Sequence, residues 1–259
     1  METTAPVALK KVAEITLIFW IMKICATTLG ETAGDMLSMT FNVGYGVSSI
    51  ILIGFFIISL IAQLTAKRYN PILYWLVILT TSTAGTTMSD YMDRSLGLGY
   101  ALGATILVVL LISMLTIWWL SERSLSVTDI RTFRPEMFYW ITILISNTLG
   151  TALGDYLADD SGLGFSGGAL LIGSLIGIVV IAYYLTKVSH VILFWIAFVL
   201  TRPFGATFGD LLTKTNEQGG LNFGTIGSSI VLFSILLALV IYAAVEQKKL
   251  NRLSEIPTN

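Results

Sequence analysis

Apolar stretches recur along the whole chain, separated by short polar connections, and eight of them reach the about 20 residues that one bilayer crossing needs. They lie near 13–35, 47–66, 71–90, 99–120, 138–156, 165–186, 191–211 and 224–245. The first, third, fifth and seventh mix apolar residues with Gly, Ser, Thr and acids, whereas the alternate four are apolar almost throughout. The pattern predicts an all-α polytopic membrane protein with the odd helices inside and the even helices facing lipid.

The odd stretches are copies of one another. Aligned on Phe19-Trp20, Tyr74-Trp75, Tyr139-Trp140 and Phe194-Trp195, each has a glycine ten residues after the Trp (Gly30, Gly85, Gly150, Gly205) and an aspartate fifteen after it (Asp35, Asp90, Asp155, Asp210). A glycine-containing loop follows each (Gly44-Tyr45-Gly46, Gly97-Leu98-Gly99, Gly162-Leu163-Gly164, Gly219-Gly220) and leads into the apolar partner helix. Periodic self-similarity of this kind marks a repeat architecture. The unit is a two-helix hairpin, in copies spanning 13–68, 71–120, 136–187 and 191–245 of a single transmembrane domain. An even number of crossings per unit gives all four copies the same orientation, so equivalent residues share a depth and the four aspartates form a level.

At 100° per residue, offsets +3, +7, +8, +10, +11, +14 and +15 from the Trp fall within about 80° of one direction. That face carries Lys23 at +3; Thr27, Ser82, Asn147 and Arg202 at +7; Thr28, Thr83, Thr148 and Pro203 at +8; and Glu31, Thr86, Thr151 and Ala206 at +11. For a single Gly or Thr the plain reading is helix packing. Ionisable groups within a membrane helix instead point to function. The aspartates also admit a second, weaker reading: fifteen residues carry the chain about 22 Å, which places them to end helices near the outer surface, least so for Asp35, which shares a helix with Glu31. Glu31 and Asp35, at i and i+4, face the same way and repel; such a pair calls for a cation, a shared proton, or the internal Lys23 and Arg202. Pro203 removes a backbone donor and is expected to interrupt the seventh helix.

Composition narrows the function. Of 259 residues 55% are hydrophobic and 12% charged, against about 25% charged in soluble domains, and the mean hydropathy is +0.82. Lys+Arg 15 against Asp+Glu 16 gives no basic surplus for nucleic acid. A single cysteine, Cys25, and a single histidine, His190, leave no thiolate or imidazole metal cluster and no positioned nucleophile and base, so an enzyme is not expected and no cofactor is called for. Connections alternate in charge: Lys10, Lys11, Lys67, Arg68, Arg123, Arg131, Arg134, Lys187, Lys248, Lys249 and Arg252 fall on one side, with only Arg94 and Lys214 on the other. By the positive-inside rule both termini are cytoplasmic, and the short basic N-terminal segment is read as preceding a retained first span, without a cleavage site.

The phrases Gly30-Glu31-Thr32-Ala33-Gly34-Asp35, Gly150-Thr151-Ala152-Leu153-Gly154-Asp155 and Gly205-Ala206-Thr207-Phe208-Gly209-Asp210, with their preceding Trp, resemble a bacterial family of integral membrane proteins built from a short repeat of unknown function. The resemblance covers nearly the whole chain and implies a multi-pass protein of the cell inner membrane, without supplying a substrate. The first phrase is also loosely similar to the acidic Glu-x-Gly-Asp motif of manganese and calcium exchangers, with one residue more in its spacing.

Carboxylate, hydroxyl and carbonyl oxygens suit hard divalent ions, and closely spaced acids share protons. The sequence-based expectation is a proton-coupled exporter of a manganese-like divalent cation. Glu31, Asp35, Asp90, Asp155 and Asp210 would take the metal, and Lys23, Thr27, Thr28, Ser82, Asn147 and Arg202 would line the route. The partners expected are the lipid bilayer, the cation and protons, with oligomerisation left open. The alternatives are a structural or partner-binding membrane protein, whose sign would be a dry centre with the aspartates bonded to helix ends or outer loops, and an exporter of a small organic cation.

Overall fold

The computed structural model describes residues 11–128 and 130–254, with side chains through 249; Lys10 and the side chain of Arg252, both counted above toward the inner face, lie outside the described residues. Among these residues the chain forms eight α-helices and no strand: α1 (Leu17–Asp35), α2 (Tyr45–Thr65), α3 (Pro71–Asp90), α4 (Tyr100–Glu122), α5 (Phe133–Asp155), α6 (Gly164–Leu185), α7 (His190–Thr213) and α8 (Thr225–Ser254). Local chemistry sets the starts. Thr16 Oγ1 accepts from Phe19 N to cap α1, and Asn70 Oδ1 accepts from Ile72 N and Leu73 N ahead of Pro71 at the first position of α3, where the missing N–H costs nothing.

Six helices, α2 and α4 to α8, are long and apolar enough to cross a membrane. The expectation of eight such stretches is met in number of helices but not in apolarity. Lys23, Glu31 and Asp35 lower α1, and the Ser/Thr run from Thr80 to Ser89 lowers α3. Both are lined by their neighbours. The inner helices α1, α3, α5 and α7 contact one another in a closed circuit, α1 with α3, α3 with α5, α5 with α7 and α7 with α1. Each even helix packs chiefly on the inner helix of the next copy: α2 on α3, α4 on α5, α6 on α7, and α8 back on α1. In the most apolar window of α2, α4, α6 and α8 only 22–28% of residues are buried, against 61–67% in α5 and α7. Isoleucines, leucines and valines such as Ile50, Ile58, Val109, Leu170 and Ile230 stand exposed on the even helices, as a lipid-facing surface requires.

Two side-chain layers repeat around the circuit. In the aromatic layer, the residue before each motif Trp packs against the Trp of the next copy: Phe19 on Trp75, Tyr74 on Trp140, Tyr139 on Trp195 and Phe194 on Trp20, with ring centroids 5.4–6.4 Å apart. The hydroxyls of Tyr74 and Tyr139 share a 2.5 Å hydrogen bond inside this layer. In the glycine layer, the +10 glycine of each copy receives the +7 residue of the next. A Cβ on Gly85 would lie 2.9 Å from Asn147 C and Thr148 N, and one on Gly205 would lie 2.8 Å from Thr27 C; Gly30 meets Ser82 and Gly150 meets Arg202 in the same way. With Gly34, Ser89, Gly154 and Gly209 four residues on, every inner helix carries the small-xxx-small pattern that lets backbones approach. The plain packing reading of the glycines therefore holds.

Two expectations are corrected. α7 runs unbroken through Pro203, whose residue position is buried in the circuit; Thr207 Oγ1 donates to Pro203 O at 3.0 Å. The fourth outer loop does not enter its helix at Gly219-Gly220. Glycines with positive φ stand at the start of each outer helix, Gly44 (82°), Gly99 (72°), Gly164 (66°) and Gly224 (71°), so the fourth loop carries five extra residues before reaching the equivalent point. Those residues include the short 3₁₀ turn Asn216–Gln218.

Candidate functional site

Three polar levels are stacked between the inner helices. Nearest the aromatic layer lies Lys23, fully buried, with its ammonium 4.0 Å from the Phe198 ring centroid and 3.4 Å from Asn147 Oδ1. Asn147 in turn donates to Thr81 Oγ1 at 3.0 Å. The route residues at this height bond to backbone carbonyls: Thr27 Oγ1 donates across to Thr201 O of α7 at 3.1 Å, and Thr28 Oγ1 to Ile24 O of its own helix at 2.9 Å.

The second level is an ion pair. Arg202, fully buried, places Nη1 2.9 Å from Glu31 Oε2, while Nη2 donates to Thr86 Oγ1 and Thr151 Oγ1 at 2.6 Å each. Glu31, Thr86 and Thr151 are the +11 residues of three copies, so the guanidinium of the fourth reaches all of them. Its Nε, like Ser82 Oγ beside Gly30, is buried without a hydrogen-bond partner. A charge so placed is tolerated only because its counter-charge and hydroxyls surround it.

The four motif aspartates make the third level, each at most 3% exposed. Asp35, Asp90 and Asp155 are the last residues of α1, α3 and α5, and each is followed by one wide π-helical turn, Met36–Thr40, Tyr91–Ser95 and Tyr156–Asp160. Such turns are rare and cluster at functional sites. Two cations share the four acids. Arg94, in the second π-turn, lies 3.1 Å from Asp90 Oδ1 and 3.3 Å from Asp155 Oδ2, with Tyr45 and Tyr100 rings 5.9 and 5.6 Å from its guanidinium carbon. Lys214, just past α7, lies 2.9 Å from Asp35 Oδ2 and 3.0 Å from Asp210 Oδ1. Each cation binds the aspartate of its own copy and that of the next. Burial works against the Lys214 ammonium, but Asp210 and Asp35 outweigh it and hold its pKa above the ordinary lysine value.

The sequence-predicted residues thus come together, in two groups. Glu31, Asp35 and Asp210 offer carboxylate oxygens within 4.8 Å of one another, the spacing of a hard-cation site, with Arg202 paired to Glu31 and Lys214 to Asp35 and Asp210. Asp90 and Asp155 form the other group, around Arg94. Sequence reasoning placed Arg94 and Lys214 in the outer connections and missed their role. The signal was present, because both lie four residues after a motif aspartate, where copies one and three have Met39 and Asp159. A second buried pair was also missed: Lys11 Nζ lies 2.8 Å from Glu136 Oε2, and Gln63 Nε2 donates to Glu136 Oε1 at 3.1 Å and to Lys11 O at 3.1 Å. This cluster ties the segment before α1 to the start of α5.

A four-copy helical circuit with lipid-suited outer helices and a buried charged axis defines a multi-pass membrane protein built by internal repetition. The chain belongs to the family described as Repeat of Unknown Function (DUF347), which it matches four times, over residues 18–69, 73–124, 138–189 and 193–249. No curated protein and no solved structure matches it.

Proposed function

We propose that this protein is a proton-coupled cation transporter of a bacterial inner membrane, with both termini cytoplasmic and its four hairpins inserted in one orientation. The reading rests on one observation: ionisable groups occupy three successive levels between the inner helices, from Lys23 through Arg202–Glu31 to the aspartates. Charges buried inside a membrane protein are costly and mark ion pathways and proton relays. In this reading Lys214 and Arg202 are tethered cations that keep the acids neutralised, and an arriving divalent cation takes the oxygens of Glu31, Asp35 and Asp210 from them. A carboxylate of this group that carries a proton in the metal-free protein releases it as the cation binds, so the metal and the proton exchange at the same oxygens. The test is flux in proteoliposomes, with internal dyes for manganese, magnesium, calcium and pH. Cation entry coupled to proton exit, abolished in E31Q/D35N, supports the reading. No ion movement, or unchanged movement in that variant, overturns it.

A structural role is the second reading, and a specific observation favours it: all four aspartates touch a protein cation and three of them end helices. On that reading E31Q/D35N alters stability without any transport to lose.

A further inference from the structure

A cavity of about 370 Å³ opens at the end of the helix circuit opposite the aspartates, between the α2–α3 connection and the last turns of α8. Its lining includes Lys67, Arg68 and Lys248, with Tyr69 and Asn70 between them and, among the described residues, no acid. All three cations are exposed. Bringing like charges around one concavity is unfavourable unless an anion completes it. The cavity opens where lipid-facing helices end: Ile58 and Ile61 on α2 and Ile241 and Val245 on α8 are exposed one to three turns further into the apolar zone. A ligand that fits needs a negative head beside the three cations and a hydrocarbon tail along those isoleucines. Basic pockets between membrane helices at an interface take anionic lipid head groups in this way.

We propose that this cavity is a binding site for an anionic phospholipid, whose phosphate is held by Lys67, Arg68 and Lys248 and whose acyl chains lie along α2 and α8. The site lies apart from the charged axis and does not depend on the transport reading. Tyr69, half-buried at the cavity and with its pKa pushed up to about 12 by burial, stays a neutral hydroxyl there and adds a donor without repelling the phosphate.

The test uses the full chain purified in detergent, titrated with dioctanoyl phosphatidylglycerol, dioctanoyl phosphatidylcholine or inorganic phosphate, and read by native mass spectrometry. The phosphatidylglycerol adduct is expected at about tenfold lower concentration than the phosphatidylcholine adduct. K67Q/R68Q/K248Q is expected to lose that preference at unchanged melting temperature, K67Q/R68Q to lose part of it, and K187Q, a surface cation elsewhere, to keep it. Equal binding of the two lipids overturns the proposal, as does full preference in the triple variant. Displacement of phosphatidylglycerol by an equal concentration of inorganic phosphate overturns the assignment to lipid. Should the triple variant not fold, the double variant decides by the same criterion.

Discussion

The four seams of the inner circuit are alike in packing and unlike in charge. At every seam an aromatic meets a Trp and a +7 residue enters a glycine notch. Among the described residues two seams receive a cation at the aspartate level, Arg94 between copies two and three and Lys214 between copies four and one. At the other two the equivalent positions hold Met39 and Asp159. Shape in this molecule follows fourfold repetition, while electrostatics follows a twofold pattern laid over it. Packing tolerates no drift at the glycines, because backbone faces backbone there, whereas one base suffices to serve two acids.

The strongest way to break this comparison lies one level below the aspartates, at the fourth-to-first seam. Glu31→Gln leaves the Arg202 guanidinium buried against neutral groups, and removing one partner of such a pair costs about 3–5 kcal/mol. Thermal unfolding in detergent should show that loss, and R202M/E31M should recover most of it. A near-neutral E31Q would mean the pair does not hold the seam. Next in size is Gly85→Ala, whose Cβ meets main-chain atoms of α5; overpacking of this kind costs about 1–3 kcal/mol. Gly177→Ala, with open space around its Cβ position, should be neutral, and equal effects of the two would refute the notch.

Arg94→Gln and Lys214→Gln test the twofold pattern directly. Each cation is partly exposed, so solvent screening leaves about 1 kcal/mol for each. Similar losses would support equivalence of the two bridged seams, and a loss confined to one would break it. Tyr74→Phe removes a single hydroxyl pair and should cost about 1 kcal/mol. The smallest expected effect is a null. The folded-state pKa of Lys214 is raised, so its stabilisation is complete below the unfolded value of about 10.4 and is lost only as pH climbs through the folded one. The melting difference between wild type and K214Q should therefore not shrink from pH 7 to 10, and a decline within that range would show that the carboxylates do not hold the ammonium.

Much of this was legible in the chain. The Trp-to-Asp spacing yields the repeat, the hairpin and the inner and outer roles of the helices, because lipid exposure and interior packing select different compositions. The Glu31–Arg202 pair was one of the partnerships left open by the i, i+4 repulsion. Three things were hidden. Lys214 and Arg94 looked like connection charges because a π-turn and a helix end, neither visible in hydropathy, fold them back over the acids. The continuity of α7 through Pro203 was hidden because a proline inside an apolar stretch reads as a break, whereas membrane helices tolerate it. The long fourth loop hid its register, since Gly219-Gly220 resembles the other loop glycines while Gly224 occupies their conformation.

Because every outer helix covers the inner helix of the following copy, α1 must wait for α8. Synthesis proceeds from the first residue to the last, so the segment with Lys23, Glu31 and Asp35 enters the bilayer long before its own sheath exists. α8 is the clasp that turns an open row of hairpins into a closed ring. A chain cut short before α8 would leave its most polar helix facing lipid.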